Sequence, residues 1–218
     1  LCRGAAGVLI YSDPADDGAG VGETYPDGPW RPSSAVQRGS VQFNSLCSGD
    51  PFRADARYGA IAGDPCGGYA PEDLVPSIPV LPLSSADAAP IMRALGGAAA
   101  PAGFVGDLPG LGPEGYTLGP STLEVAMETR SELVKTPIWN VVATVPGWLE
   151  PELDQPVLVG NHRDAWVFGA ADPSSGTAAL LELARGLGQL REGGWRPRRT
   201  LKLLSWSGEE YGLFGSTG

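Results

Sequence analysis

The chain has 218 residues, long enough for one or two domains and a substantial buried core. Fifteen basic residues against 25 acidic ones give a net charge of −10, which argues against nucleic acid as a partner because phosphate binding needs a positive footprint. Charged residues are 18% and apolar residues 42%, so the chain is not a disordered acidic tail. With 32 Gly and 21 Pro, turn formers are about twice as frequent as the usual ~12%, and much of the chain must be turns, loops and short strands. Three Cys, with no Cys-x-x-Cys pair, exclude both a dense disulfide scaffold and a Cys-based zinc module. Neither a membrane span nor a signal peptide is visible, and both ends read as cut, as in an internal piece of a longer protein.

Most of the acidic excess lies before residue 136, where the sequence predicts short strands broken by turns. Ala6–Tyr11 is a compact β-favouring run stopped by Ser12-Asp13-Pro14, and the turn formers from Asp13 to Gly39 predict a long structured loop. Ile78–Pro82 fits only a short or edge strand, since its prolines cannot donate ladder hydrogen bonds. Ser84-Ser85-Ala86-Asp87 then supplies N-cap chemistry for a helix to about Leu95, ended by Gly96-Gly97, and residues 98–120 read as loop. After residue 136 the rhythm is cleaner. Ile138–Val145 and Val157–Val159 are strand runs, the second running into Gly160-Asn161-His162. From Ser175 to Leu190, leucines and Ala184 recur at helical spacing, and Thr200–Trp206 is a further β run. A strand, a crossover helix and a strand predict a parallel pair on a sheet, with Thr200–Trp206 left as an unpaired edge.

Chemistry in open α/β sheets collects at the carboxyl ends of strands, and two such ends are loaded here. One carries His162-Arg163-Asp164 with Asp172 beyond it; the other carries Glu209-Glu210. Each residue has an ordinary reading. The sole histidine can be a structural hydrogen-bonding residue, Asp172 a helix-entry turn, and the glutamates a solvated helix start. Together they place an imidazole and several carboxylates at one sheet edge, a donor set that suits a divalent metal such as zinc, with Asp164 the acceptor that fixes the imidazole. Arg196-Pro197-Arg198-Arg199 reads as a solvated turn, and Trp166, Trp195 and Trp206 as packing residues. Cys47 and Cys66 either pair or remain free thiols. No phosphate-loop pattern occurs.

Four ordered segments carry a family resemblance: Gly160–Gly169 (GNHRDAWVFG), Asp172–Gly176 (DPSSG), Gly194–Thr200 (GWRPRRT) and Ser205–Thr217 (SWSGEEYGLFGST). They resemble the glutamate carboxypeptidase II family, the N-acetylated α-linked acidic dipeptidases and their plant and algal relatives. Tyr11–Asp16, Tyr25–Gly28, Val36–Gly39, Gly49–Pro51 and Pro76–Val80 resemble that family's protease-associated domain. The resemblance implies a mixed α/β fold, with residues 1–136 as the β-rich protease-associated domain and 137–218 as the first part of a zinc-peptidase sheet core. It implies two zinc ions in the full-length parent, with His162 on one, Glu210 on the other and Asp172 bridging them. Glu209 is then the general base and Asp164 the partner of His162. Two further ligands, an Asp and a His, belong to the family pattern downstream, so this chain alone is expected to be inactive. Calcium is doubtful, because Phe52-Arg53-Ala54-Asp55-Ala56 replaces the Thr and Tyr that hold it in relatives and Gly218 stands where a calcium-binding Glu is expected. Ser40 replaces an Asn that contacts a terminal glutamate, so that preference has no support. The implied activity is a metallocarboxypeptidase acting on short acidic peptides. The alternatives are a dipeptidyl- or aminopeptidase of the same fold, or a non-catalytic transferrin-receptor-like binding protein. Implied partners are the peptide substrate and a second copy, dimerised through a C-terminal domain; the implied location is membrane-anchored, with a lumenal or extracellular catalytic domain.

Overall fold

The structure is a computed structural model that describes residues 4–52, 68–112, 115–121 and 123–217. It is mixed α/β, and its contacts divide the chain into two units. One draws on residues up to Arg38 and Pro76–Glu132, the other on Gly39–Val75 and residues from Leu133 onward.

In the first unit, β1 (Val8–Tyr11) pairs in parallel with β2 (Val80–Leu83), Val8 opposite Val80 and Tyr11 opposite Leu83. Between them in sequence, Asp13 caps the single helical turn α1 (Pro14–Asp17), its side chain accepting from Ala15 N. α2 (Ser85–Arg93) follows β2 directly. Ser84 is its N-cap, accepting from Asp87 N at 3.1 Å and donating to Asp87 Oδ2 at 2.6 Å; such caps contribute about 1 kcal/mol. Residues 95–121 hold isolated bridges rather than plain loop, with Leu95 opposite Ser121 and Ala99 opposite Thr117. Asp13 also ties this unit together at a distance, accepting from Asp107 N at 2.7 Å and from the Tyr116 hydroxyl.

In the second unit, the described part of Gly39–Val75 includes a 3₁₀ turn, Pro71–Leu74, whose Leu74 is fully buried. Cys47 is disulfide-bonded; Cys2 and Cys66 lie outside the described residues, as do residues 53–56 and Gly218. β3 (Val141–Val145), β4 (Val157–His162) and β5 (Leu201–Trp206) form a three-stranded sheet in the order β3-β5-β4. α3 (Ser174–Glu192) makes the crossover between β4 and β5, which are parallel as expected, His162 opposite Trp206. α4 (Phe214–Thr217) is one short turn beyond β5.

The expectation that Thr200–Trp206 is an unpaired edge is wrong. β3 returns antiparallel along the other side of β5, Val141 opposite Ser205 and Val145 opposite Leu201, so β5 is the central strand. Its Leu203 and Leu204 are buried accordingly. Among the described residues the buried hydrophobic side chains include Leu74, Leu108, Leu187, Leu203 and Leu204, while Val141, Val142, Leu158 and Leu181 remain more than half exposed. Among the described residues β3 and β4 are the sheet edges, and α3, a helix of 19 residues, packs on the sheet.

Candidate metal centre

Parallel pairing of β4 and β5 brings their carboxyl ends side by side, which is why residues 162 and 209–210 meet. His162 closes β4, and its backbone is fixed opposite Trp206, the last residue of β5. Beyond Trp206 the chain must turn sharply to keep Glu209 and Glu210 at the sheet edge. Gly208 makes that turn with φ +72°, a left-handed conformation costly for other residues.

Asp164 holds the turn from inside. Its Oδ1 accepts from Glu209 N and its Oδ2 from Glu210 N, both at 3.1 Å. The same residue faces His162, with Nδ1 3.1 Å from the Asp164 carbonyl oxygen and 3.5 Å from Oδ1. Donation of an Nδ1 proton to that carbonyl leaves Nε2 as the nitrogen available to a ligand. Nε2 is 2.9 Å from Asp172 Oδ1 and 3.9 Å from Glu209 Oε2. Ligand atoms of His162, Asp172 and Glu210 all lie within 4.8 Å of one another. His162 is largely covered, its side chain 16% exposed, whereas the Asp172 side chain is 77% exposed and open to an incoming molecule.

The electrostatics fit a site built for positive charge. Burial alone lowers the proton affinity of His162, but the charges of Glu209, Asp164 and Asp172 outweigh it and raise its pKa. Glu210 is also raised, first by burial and then by repulsion from Asp172 and Glu209, with His162 opposing. Carboxylates crowded at this spacing repel one another, and a dication would relieve them. One imidazole with two carboxylates is a donor set that zinc accepts. The residues therefore fit the metal.

Several residues that support the site carried no signal in the spacing of the sequence. Asn140 accepts from Ser207 N at 3.1 Å and donates to Gly215 O at 2.7 Å, spanning the turn after β5. Ser40 Oγ donates to Tyr211 O at 2.9 Å, and Gly49 N donates to Gly212 O at 2.7 Å. Residues 40–49 thus brace the segment bearing Glu209 and Glu210 from more than 160 positions away. Arg163 is turned away from the carboxylates, bonding Ser205 O at 2.8 Å and Trp139 O. Trp166 packs on Tyr211, ring centroids 5.0 Å apart, in keeping with a packing role.

Residues 140–218 match the model of peptidase family M28. Over nearly the whole chain there is also similarity to full-length proteins. A probable glutamate carboxypeptidase of Arthroderma benhamiae is 42% identical over 99% of this chain and 30% of its own length. The probable glutamate carboxypeptidase LAMP1 of Arabidopsis thaliana is 42% identical over 98% of the chain and 29% of its length. The aminopeptidase NAALADL1 of Rattus norvegicus is 39% identical over 99% and 29%. The chain thus spans less than a third of the length of each of these relatives.

Proposed function

Because the chain belongs to the glutamate carboxypeptidase group of peptidase family M28, we propose that its full-length parent is a zinc-dependent exopeptidase that releases a terminal residue from short, acidic peptides. The observation that carries this reading is the convergence of His162, Asp172 and Glu210 within 4.8 Å, with Glu209 beside them. A receptor-like, non-catalytic relative has no need of all four.

In this reading His162 and Glu210 would each hold one of two zinc ions, and Asp172, whose side chain is open to approach, would be shared between them. Bound there, the metals would supply Lewis acidity toward the scissile carbonyl and make water a competent nucleophile near neutral pH. Glu209 takes the proton from the attacking water and delivers it to the departing amine, so the peptide bond breaks without releasing an amide anion. Asp164 orients His162 and, through the two backbone N–H groups it binds, sets where both glutamates stand. In the same reading residues 1–136 are a protease-associated domain and residues 137–218 the first part of the peptidase domain, and the parent is a membrane-anchored homodimer facing the lumen or the cell exterior.

Cleavage from the amino end is the second reading, favoured by the near-equal similarity to a protein named an aminopeptidase. The test is zinc analysis of the purified parent, followed by assay of N-acetylated acidic dipeptides against C-terminally amidated ones. Hydrolysis of the N-blocked set alone supports the carboxypeptidase. Hydrolysis of the amidated set alone supports the aminopeptidase, and a zinc-free parent inactive on both refutes the proposal.

A further inference from the structure

We propose that Thr177 and Asn161 are positioning residues that set the spacing between His162 and Asp172, and through it the grip on the metal those two residues share; the inference rests on the metallopeptidase reading. Asp172 lies at the end of the connection between β4 and α3, and its hydrogen bond among the described residues is to His162 itself. Its backbone is located instead by the start of α3. Ser174 N donates to Gly169 O at 3.0 Å, Ser175 Oγ to Ala171 O at 2.6 Å, and Thr177 N to Pro173 O at 3.0 Å. Where the first turn of α3 goes, Asp172 goes.

That turn is latched to the end of β4 by side chains. Thr177 Oγ1 donates to the carbonyl oxygen of His162 at 3.0 Å and accepts from Asn161 Nδ2 at 2.9 Å. Asn161 Nδ2 also approaches the His162 carbonyl. Gly176 makes the close approach possible, since a Cβ there would lie 2.1 Å from Asn161 Oδ1. The backbone of one ligand residue is therefore held by the helix that locates the other. Thr177 and Asn161 are half-buried and touch no ligand atom, so their effect on a metal runs entirely through the positions of His162 and Asp172.

The experiment uses the full-length parent, stripped and titrated with zinc against a chromophoric chelator, with the melting temperature of each metal-free form measured in parallel. Thr177→Val keeps the side-chain shape and removes the hydroxyl, and should weaken zinc about 10–100-fold; Thr177→Ser restores the hydroxyl and should stay within about threefold of wild type. Asn161→Ala, the second variant should Thr177→Val not fold, should weaken zinc about tenfold. Leu187→Ala removes a buried side chain from the same helix, and should lower the metal-free melting temperature with zinc affinity unchanged. Wild-type affinity in Thr177→Val, or equal losses in the Val and Ser variants, overturns the latch alone. So does a comparable loss in Leu187→Ala, because affinity would then only report helix stability. A wild-type parent that takes up no zinc overturns the metallopeptidase reading and the latch with it.

Discussion

Asp164 Oδ2 accepts a hydrogen bond from the backbone N–H of Glu210 at 3.1 Å, joining the end of one parallel strand to the end of the other. With Oδ1 on Glu209 N, a single carboxylate sets the backbone of both glutamates while its own main chain faces His162. Asp164→Ala should therefore disturb both sides of the site, lowering zinc affinity about 10–100-fold and turnover with it. Asp164→Asn keeps one acceptor and should fall between Ala and wild type. Equilibrium zinc titration of the two variants checks this; wild-type affinity in Asp164→Ala would contradict it.

Proton binding at the site has a defined sign. His162 is raised above its ordinary 6.5 and Glu210 above its ordinary 4.5. A group raised on folding contributes stability that is complete below its unfolded pKa and is lost as pH rises through the folded value. The metal-free chain should accordingly lose stability from these two groups as pH climbs above about 4.5 and again above about 6.5. Zinc affinity should move the opposite way, increasing with pH as the ligands deprotonate. The chain has one histidine, so its imidazole Hε1 resonance reports the titration without ambiguity. A midpoint at or below 6.5 in the metal-free chain would contradict the arrangement.

Much of the peptidase region was legible because its elements are local and strongly patterned. The leucine spacing of Ser174–Glu192 marks the helix, β-branched runs mark the strands, and a crossover of that length implies parallel pairing. The position of β5 was not legible. Which side β3 takes is decided by long-range pairing, and nothing in the text of Val141–Val145 states that it returns antiparallel against Leu201–Ser205. The supporting residues were hidden for the same reason. Ser40 and Gly49 act through backbone carbonyls on the Tyr211–Gly212 segment, and such contacts leave no spacing signal. Asp164 was legible as a neighbour of His162, but not as the acceptor for two amides 45 and 46 residues away.

In the first unit, Asp13 gathers Ala15 N, Asp107 N and the Tyr116 hydroxyl around one carboxylate. Asp13→Ala should destabilise that unit by about 1–3 kcal/mol, the usual cost of orphaned donors. Tyr116 has its pKa pushed well above the ordinary 10, chiefly by burial and then by the hydrogen bond to Asp13. The neutral phenol is therefore favoured in the fold, and stability should decline as pH rises beyond about 10. Tyr116→Phe should lose this alkaline sensitivity, as read by denaturation at pH 9 and pH 11; an unchanged pH slope would contradict it.

The 218-residue chain by itself should bind zinc weakly and hydrolyse nothing. Among the described residues three ligands, one of them shared, would give each metal two protein donors, short of the three a catalytic zinc normally has. Calorimetric titration of the chain and assay on acidic dipeptides provide the check. Tight binding of two zinc ions with turnover would show that the ligand set is misread.

In the proposed mechanism Glu210 holds metal and Glu209 moves a proton. Zinc content and turnover of the Glu209→Gln and Glu210→Gln variants, measured side by side in the full-length parent, test it most directly. Glu209→Gln should keep both zinc ions and lose about 10²–10⁴ in kcat, the usual contribution of a general base. Glu210→Gln should lose zinc, because a neutral amide is a poorer ligand for a dication. Equal zinc loss in the two variants, or full turnover in Glu209→Gln, would contradict the division of roles.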